Sequence, residues 1–151
     1  MYSLQATASP QDRSDIEHLL AVYAWALDTA DFNTLKDVFW PDAVLQDTQG
    51  IEHKGRDAVM GYFKDLTSHP DFRGRQHHID KLLLERVGDE CRCRAYWMVS
   101  RWDADTGQRQ LDFIGHSNDV YLFADGVWRI RERRLFYWRS NDCPWIGANA
   151  G

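Results

Sequence analysis

Two histidines stand side by side in RQHHIDKLLLE, residues 75–85, and an aspartate closes the apolar stretch of YAWALDTADF, residues 23–32. An imidazole held by a carboxylate can act as a general base near neutral pH. The carboxylate fixes the tautomer and stabilises the imidazolium, so the far ring nitrogen can take a proton from carbon or oxygen. In an extended strand neighbouring side chains point to opposite faces, so His77 and His78 cannot both face one side of a sheet. Asp28, at the end of a helix, sits where the helix dipole disfavours an anion by about 0.3–1 kcal/mol, and His77 could supply the offsetting partner. Tyr23, one to two turns earlier, could place a hydroxyl in the same space as a donor to a substrate oxygen. An amphipathic core tyrosine is the alternative reading.

Other chemistries find little support. His18, His53 and His69 fall in turn or exposed-helix contexts, and no HxH or HExxH spacing occurs on a favourable element, so no metal site is expected. There is no glycine-rich phosphate loop and no GxSxG elbow, which points to cofactor-free chemistry. The three cysteines, Cys91, Cys93 and Cys143, lack zinc or redox spacing and read as free thiols in a reducing compartment. A net charge of −5 argues against a nucleic-acid partner. The densest basic run, RIRERR at 129–134, lies in an alternating pattern and reads as a solvated strand face. The N-terminal stretch has neither a basic nor an apolar leader region, and no 18-residue apolar window occurs, so a cytoplasmic protein without membrane attachment is expected.

The elements that must position these residues are legible from periodicity. Ile16, Leu19, Leu20, Tyr23, Ala24 and Leu27 follow a helical period, with Ser14 and Glu17 offering a capping box. A short helix follows in DFNTLKDVFW, with Asp31 as N-cap and Pro41 as stop signal. Two short extended pieces surround Gln49-Gly50, and GRDAVMGYFKDLTSH forms a third helix. Strands are predicted over 75–87, 90–102, 109–123 and 127–138, joined by the short breaks GDE, DADTG and ADG, as an antiparallel meander. Helices first and strands last define an α+β fold, with three N-terminal helices packed on a strongly curved, mostly antiparallel sheet. All 151 residues are expected to form one domain with its core at about 11–140. The wide end of such a cone encloses a pocket for a small molecule.

The succession YAWALDTADFNTLKDVFWPDAV, HKGRDAVMGYF, QHHIDKLLLE and NDVYLFADGVWRIRERRL resembles the SnoaL-like part of the nuclear-transport-factor-2-like superfamily, over about residues 11–140. That group includes scytalone dehydratase, bile acid 7α-dehydratase and hexachlorocyclohexane dehydrochlorinase. The resemblance implies a cystatin-like cone and a catalytic pair of an aspartate ending the first helix and a histidine opening the first long strand. The aspartate is then Asp28. Relatives commonly carry an asparagine four residues after the histidine; Lys81 takes that place, which selects His77 and turns His78 to the opposite face. The Tyr23-to-Asp28 spacing resembles that of bile acid 7α-dehydratase.

There are departures from the scytalone dehydratase pattern. Leu27 stands where a tyrosine would precede the aspartate. On the second long strand the counterparts of a further histidine are Tyr96, Met98 and Ser100, with Tyr96 the best substitute donor. On the third, Gly115 and Ser117 stand at the positions of two polar contacts, and His116 then lies on the outer face. Trp25, Phe39, Phe63, Trp97 and Phe113 are candidates for an aromatic wall. The resemblance implies a cofactor-independent lyase of the dehydratase type acting on a hydroxylated aromatic or polycyclic small molecule. Asp28, His77 and Tyr23 would be catalytic, and Tyr96, Ser117, Phe63, Met98 and Phe113 would touch substrate. An isomerase or a retro-aldol lyase could use the same base. A non-catalytic assembly subunit, like the β subunits of ring-hydroxylating oxygenases, is a third reading. A homodimer or homotrimer built on the outer sheet face is expected, since helices cover only one face.

Overall fold

Ser9 and Pro10 set the first helix one turn earlier than the Ser14 signal suggests. In a computed structural model describing residues 3–139, α1 spans Pro10–Asp28. The Ser9 hydroxyl accepts from the Asp12 amide and the Asp12 carboxylate accepts from the Ser9 amide, both at 3.0 Å, with proline at the first helical position. Glu17 instead pairs with Arg13 at 3.3 Å. Ile16, Leu20, Tyr23 and Leu27 are buried along one face.

After a left-handed Ala30 (φ 55°), Asp31 caps α2, Phe32–Val38, accepting from the Thr34 amide at 3.1 Å. The helix ends at Val38. Pro41 falls inside β1, Phe39–Gln46, where pairing with β6 breaks between Phe39 and Val44. A proline without an N–H is tolerated at such a break. β2 is Glu52–Lys54 and α3 is Arg56–Ser68, with Val59, Met60 and Phe63 buried. A 3₁₀ turn at Pro70–Phe72 leads into β3, Arg75–Val87, followed by β4, Glu90–Trp102, β5, Arg109–Ala124, and β6, Val127–Tyr137.

The six strands lie in the order β2-β1-β6-β5-β4-β3, with β1 parallel to β6 and every other pair antiparallel. Three helices pack on this curved open sheet, and the core lies between them and its concave face.

Register shifts decide which side chains face that core, among them one between β4 and β5 at Val99 and Ser100. In β3 the register shifts between Asp80 and Leu83, where Lys81 takes a left-handed φ of 54°. His77 and Ile79 face inward before this bulge, and Leu82 and Leu84 face inward after it. Among non-glycine residues, asparagine is one of those found most often in this left-handed conformation. In β6 the register against β5 shifts between the Val120–Glu132 and Tyr121–Ile130 pairs. Inward parity passes from Trp128 and Ile130 to Arg133 and Leu135.

Candidate active site

Asp28 and His77 meet where the end of α1 crosses the start of β3. Asp28 Oδ1 lies 2.5 Å from His77 Nδ1, and the His77 backbone N–H donates to Asp28 Oδ2 at 2.9 Å. Each side chain is 17% exposed. Two donors therefore answer a carboxylate that the helix end alone would disfavour. An ionised Asp28 at Nδ1 places the ring proton there and leaves Nε2 as the basic nitrogen. His78, one residue on, bonds Ser100 Oγ at 2.9 Å on the outer face.

His77 lines a cavity of about 130 Å³ between α1, α3 and the concave sheet. Tyr23, Tyr62, Phe63, Trp97 and Phe113 supply aromatic walls, and Leu27, Leu66, Ile79, Val99 and Leu135 fill the spaces between them. Tyr23 packs edge-on against Phe39 and Phe63, each at 6.1 Å between ring centroids. Burial pushes the Tyr23 hydroxyl above its ordinary pKa, with the Arg133 charge opposing, so it stays a proton donor at neutral pH. Burial likewise raises the Tyr62 hydroxyl.

Trp97 reaches the wall because β5 has a glycine opposite it. A Cβ on Gly115 would come within 2.4 Å of the Trp97 ring and 2.1 Å of the Phe136 carbonyl. The indole Nε1 donates to the His116 carbonyl at 2.8 Å.

Arg133 is the residue that sequence reasoning missed. Expected on a solvated strand face, it is instead 1% exposed and lines the cavity. Its guanidinium carbon lies 4.8 Å from the Tyr23 ring centroid, and Nη1 donates to Asp119 Oδ2 at 2.7 Å. Tyr121 and Ser117 hydroxyls also donate to Asp119 Oδ2, at 2.8 and 3.0 Å. Burial works against the Arg133 charge, but the Asp119 carboxylate, with smaller contributions from Tyr23, Tyr121 and Cys93, outweighs it and keeps the guanidinium a cation. Arg133 Nε is buried without a hydrogen-bond partner. The usable signal is a break in alternation: Trp128 and Ile130 fall on even positions, Leu135 and Tyr137 on odd ones.

Several expected contacts need correction. Tyr96 and Met98 point to the outer face, 46% and 41% exposed. In an antiparallel pair, directly opposed residues share a face. His77 opposes Val99 and Ile79 opposes Trp97, which makes Trp97 and Val99 the inward residues of β4. Ser117 faces inward but is fully buried behind Arg133, its hydroxyl committed to Asp119, and is not among the lining residues. Trp25 is 74% exposed on the far side of α1, and Phe39 belongs to the core. Phe63 and Phe113 do line the cavity. His116 stacks on Phe136 at 4.8 Å and accepts from Trp138 Nε1 at 2.8 Å. Cys91 and Cys93 are buried free thiols; Cys143 lies outside the described residues. Among the described residues no group of three or more His, Cys, Asp or Glu side chains is placed to hold a metal, and no helix is long and apolar enough to cross a membrane.

This architecture is that of the nuclear-transport-factor-2-like, cystatin-like cones. A profile of the SnoaL-like domain matches residues 8–134, and the chain belongs to that family. Among solved structures it is similar to Aln2 from a Streptomyces species, at 20% identity over 86% of this chain and 93% of that one, with a TM-score of 0.80. A single-residue variant of Rv3472 from Mycobacterium tuberculosis, a protein of unknown function, is 26% identical over 93% and 85%, with a TM-score of 0.77. A candidate scytalone dehydratase from Novosphingobium aromaticivorans is 20% identical over 90% of both chains, with a TM-score of 0.74. No curated protein sequence matches the chain.

Proposed function

We propose that the protein is a cofactor-independent lyase that eliminates water from a hydroxylated aromatic or polycyclic carbonyl compound. The observation that carries this reading is the doubly bonded Asp28–His77 pair, with Nε2 left for an aromatic-walled cavity. His77 Nε2 takes the proton from the carbon next to the carbonyl, and the C–H electron pair moves into an enolate. Asp28 stabilises the imidazolium that forms. Tyr23 and Arg133, both almost fully buried, supply donors for the enolate oxygen, and such donors act strongly away from water. The enolate then reforms the carbonyl as the β C–O bond breaks. Hydroxide departs with the proton returned by His77, so the balance is one water lost and one conjugated double bond gained.

A panel of β-hydroxy aryl ketones tests this. The protein should produce the conjugated enone, seen as a new near-ultraviolet band, with solvent deuterium entering recovered substrate next to the carbonyl. A double-bond isomer without loss of water, or carbon–carbon cleavage products, would replace the dehydratase reading by one of its alternatives.

A further inference from the structure

The cavity wall contains a second guanidinium that the elimination does not use. Arg75, the first residue of β3, lines the cavity with its side chain 15% exposed. Its guanidinium carbon lies 5.5 Å from the Phe72 ring centroid and 5.1 Å from that of Phe113, so two aromatic rings hold it in place. Behind it stands Asp112, whose Oδ2 is 3.5 Å from Arg75 Nε. That contact is an ion pair without a hydrogen bond, and Nε is buried with no hydrogen-bond partner.

Asp112 is already engaged elsewhere. Its Oδ2 accepts from Arg101 Nε at 3.1 Å and its Oδ1 accepts from Gln110 Nε2 at 2.5 Å. Two guanidinium groups therefore share the Asp112 carboxylate, and Arg75 has no carboxylate of its own. Arg133, by contrast, is balanced by its own carboxylate, Asp119.

A restrained, partly dehydrated guanidinium that shares its carboxylate partner is suited to a planar carboxylate, which it can bind through two parallel N–H donors. We propose that Arg75 forms a carboxylate-binding subsite and that the substrate is an aromatic or alicyclic carboxylic acid. Arg75 and His77 are two residues apart on one strand face, roughly 7 Å between Cα atoms. The substrate carboxylate accordingly lies several bonds from the carbon that loses its proton. This rests on the proposed function for the identity of the reacting carbon, but the subsite can be tested without turnover.

Calorimetric titration with naphthoate and the neutral, nearly isosteric naphthamide is the test. The wild-type protein should bind naphthoate at least about tenfold tighter. Arg75→Met should remove that preference while leaving naphthamide affinity within about twofold, and Arg75→Lys should restore part of it. Circular dichroism establishes that each variant is folded, and Arg75→Gln serves if Arg75→Met is not. Equal affinity for the two compounds in the wild type, no naphthoate binding at millimolar concentration, or a preference surviving in both neutral Arg75 variants would overturn the proposal. His77→Ala separates the two readings. It should keep the carboxylate preference, so loss of elimination with the preference intact bears on the chemistry and not on the subsite.

Discussion

His77 is joined to Asp28 twice, through ring Nδ1 at 2.5 Å and through its own backbone N–H at 2.9 Å. The two contacts use different carboxylate oxygens, so the strand that carries the imidazole also fixes the plane of the carboxylate that orients it. Rotation of the ring about χ2 would break the Nδ1 bond and leave Asp28 with one donor at the negative end of α1. The arrangement therefore selects one ring orientation and one tautomer.

Arg133 and Asp119 should behave as a unit. Arg133→Met leaves a buried, uncompensated carboxylate and should destabilise the protein by about 3–5 kcal/mol. Adding Asp119→Leu should recover part of that loss, because the unpaired charge is gone, while the Tyr121 and Ser117 hydroxyls lose their acceptor and keep the recovery incomplete. Urea unfolding of the two single variants and the double variant gives the coupling directly; additive losses would contradict it.

The turn after β1 should be sensitive to acid. Asp47 accepts from the amides of Gln49 and Ile51 and lies 2.9 Å from His53 Nε2. Burial alone would raise its pKa, but the hydrogen bonds from His53, Ile51 and Gln49 outweigh this and hold it below the ordinary carboxylate value. A folded-state pKa below the unfolded value, about 3.9, adds stability above that pH and loses it as pH falls through the folded value. Stability should therefore drop below about pH 4. Asp47→Asn should be less stable at pH 7 by about 1–3 kcal/mol and should show a smaller drop. Urea melts at pH 7 and pH 3 check both, and an unchanged pH response in the variant would contradict the assignment. Thr48, next in this turn, lines the cavity, so the same loss should loosen ligand binding.

The outer face of the sheet should be where copies of the chain meet. Tyr96, Met98, Trp102, Leu111 and Ile114 are between 36% and 59% exposed there, and Met98 directly opposes Ile114 on the neighbouring strand. Burying such a patch is favourable at roughly 25 cal/mol per Å². Sedimentation at micromolar concentration should show a dimer or trimer, and Met98→Glu with Ile114→Glu should give a monomer. A monomeric wild-type protein would refute it.

Much of this molecule is legible in its sequence because side-chain alternation is a strict rule where a strand is regular. Alternation and turn signals place the four long strands to within a residue, and the inward choice of His77 over His78 agrees with the observed burial. The errors cluster where that rule is interrupted or overridden. Choosing Tyr96 and Met98 for their chemistry goes against the parity set by Cys91, Cys93, Ala95, Trp97 and Val99, all buried. Arg133 is hidden by a bulge, which reverses the faces of everything that follows. Ser9-Pro10 loses to Ser14 as the helix start because periodicity marks the apolar face of a helix and says little about its first turn. Ser117 can be read from sequence by residue type alone; that its hydroxyl is spent on Asp119 is a tertiary fact with no local signature.

The central claim is that His77, held by Asp28, is a general base inside the cavity. Its most direct measurement uses a probe that needs only a base: nitrobenzisoxazole, in which proton removal from carbon and breakage of the N–O bond release a coloured phenolate. The wild-type protein should accelerate this reaction beyond free imidazole at equal concentration. His77→Ala should lose about 10²-fold or more, the lower range for general-base catalysis. Asp28→Asn should lose a large part of the rate, with the double variant no worse than His77→Ala alone. His78→Ala, on the outer face, should keep the wild-type rate. Equal rates for wild type and His77→Ala, or equal losses for His77→Ala and His78→Ala, would contradict the account.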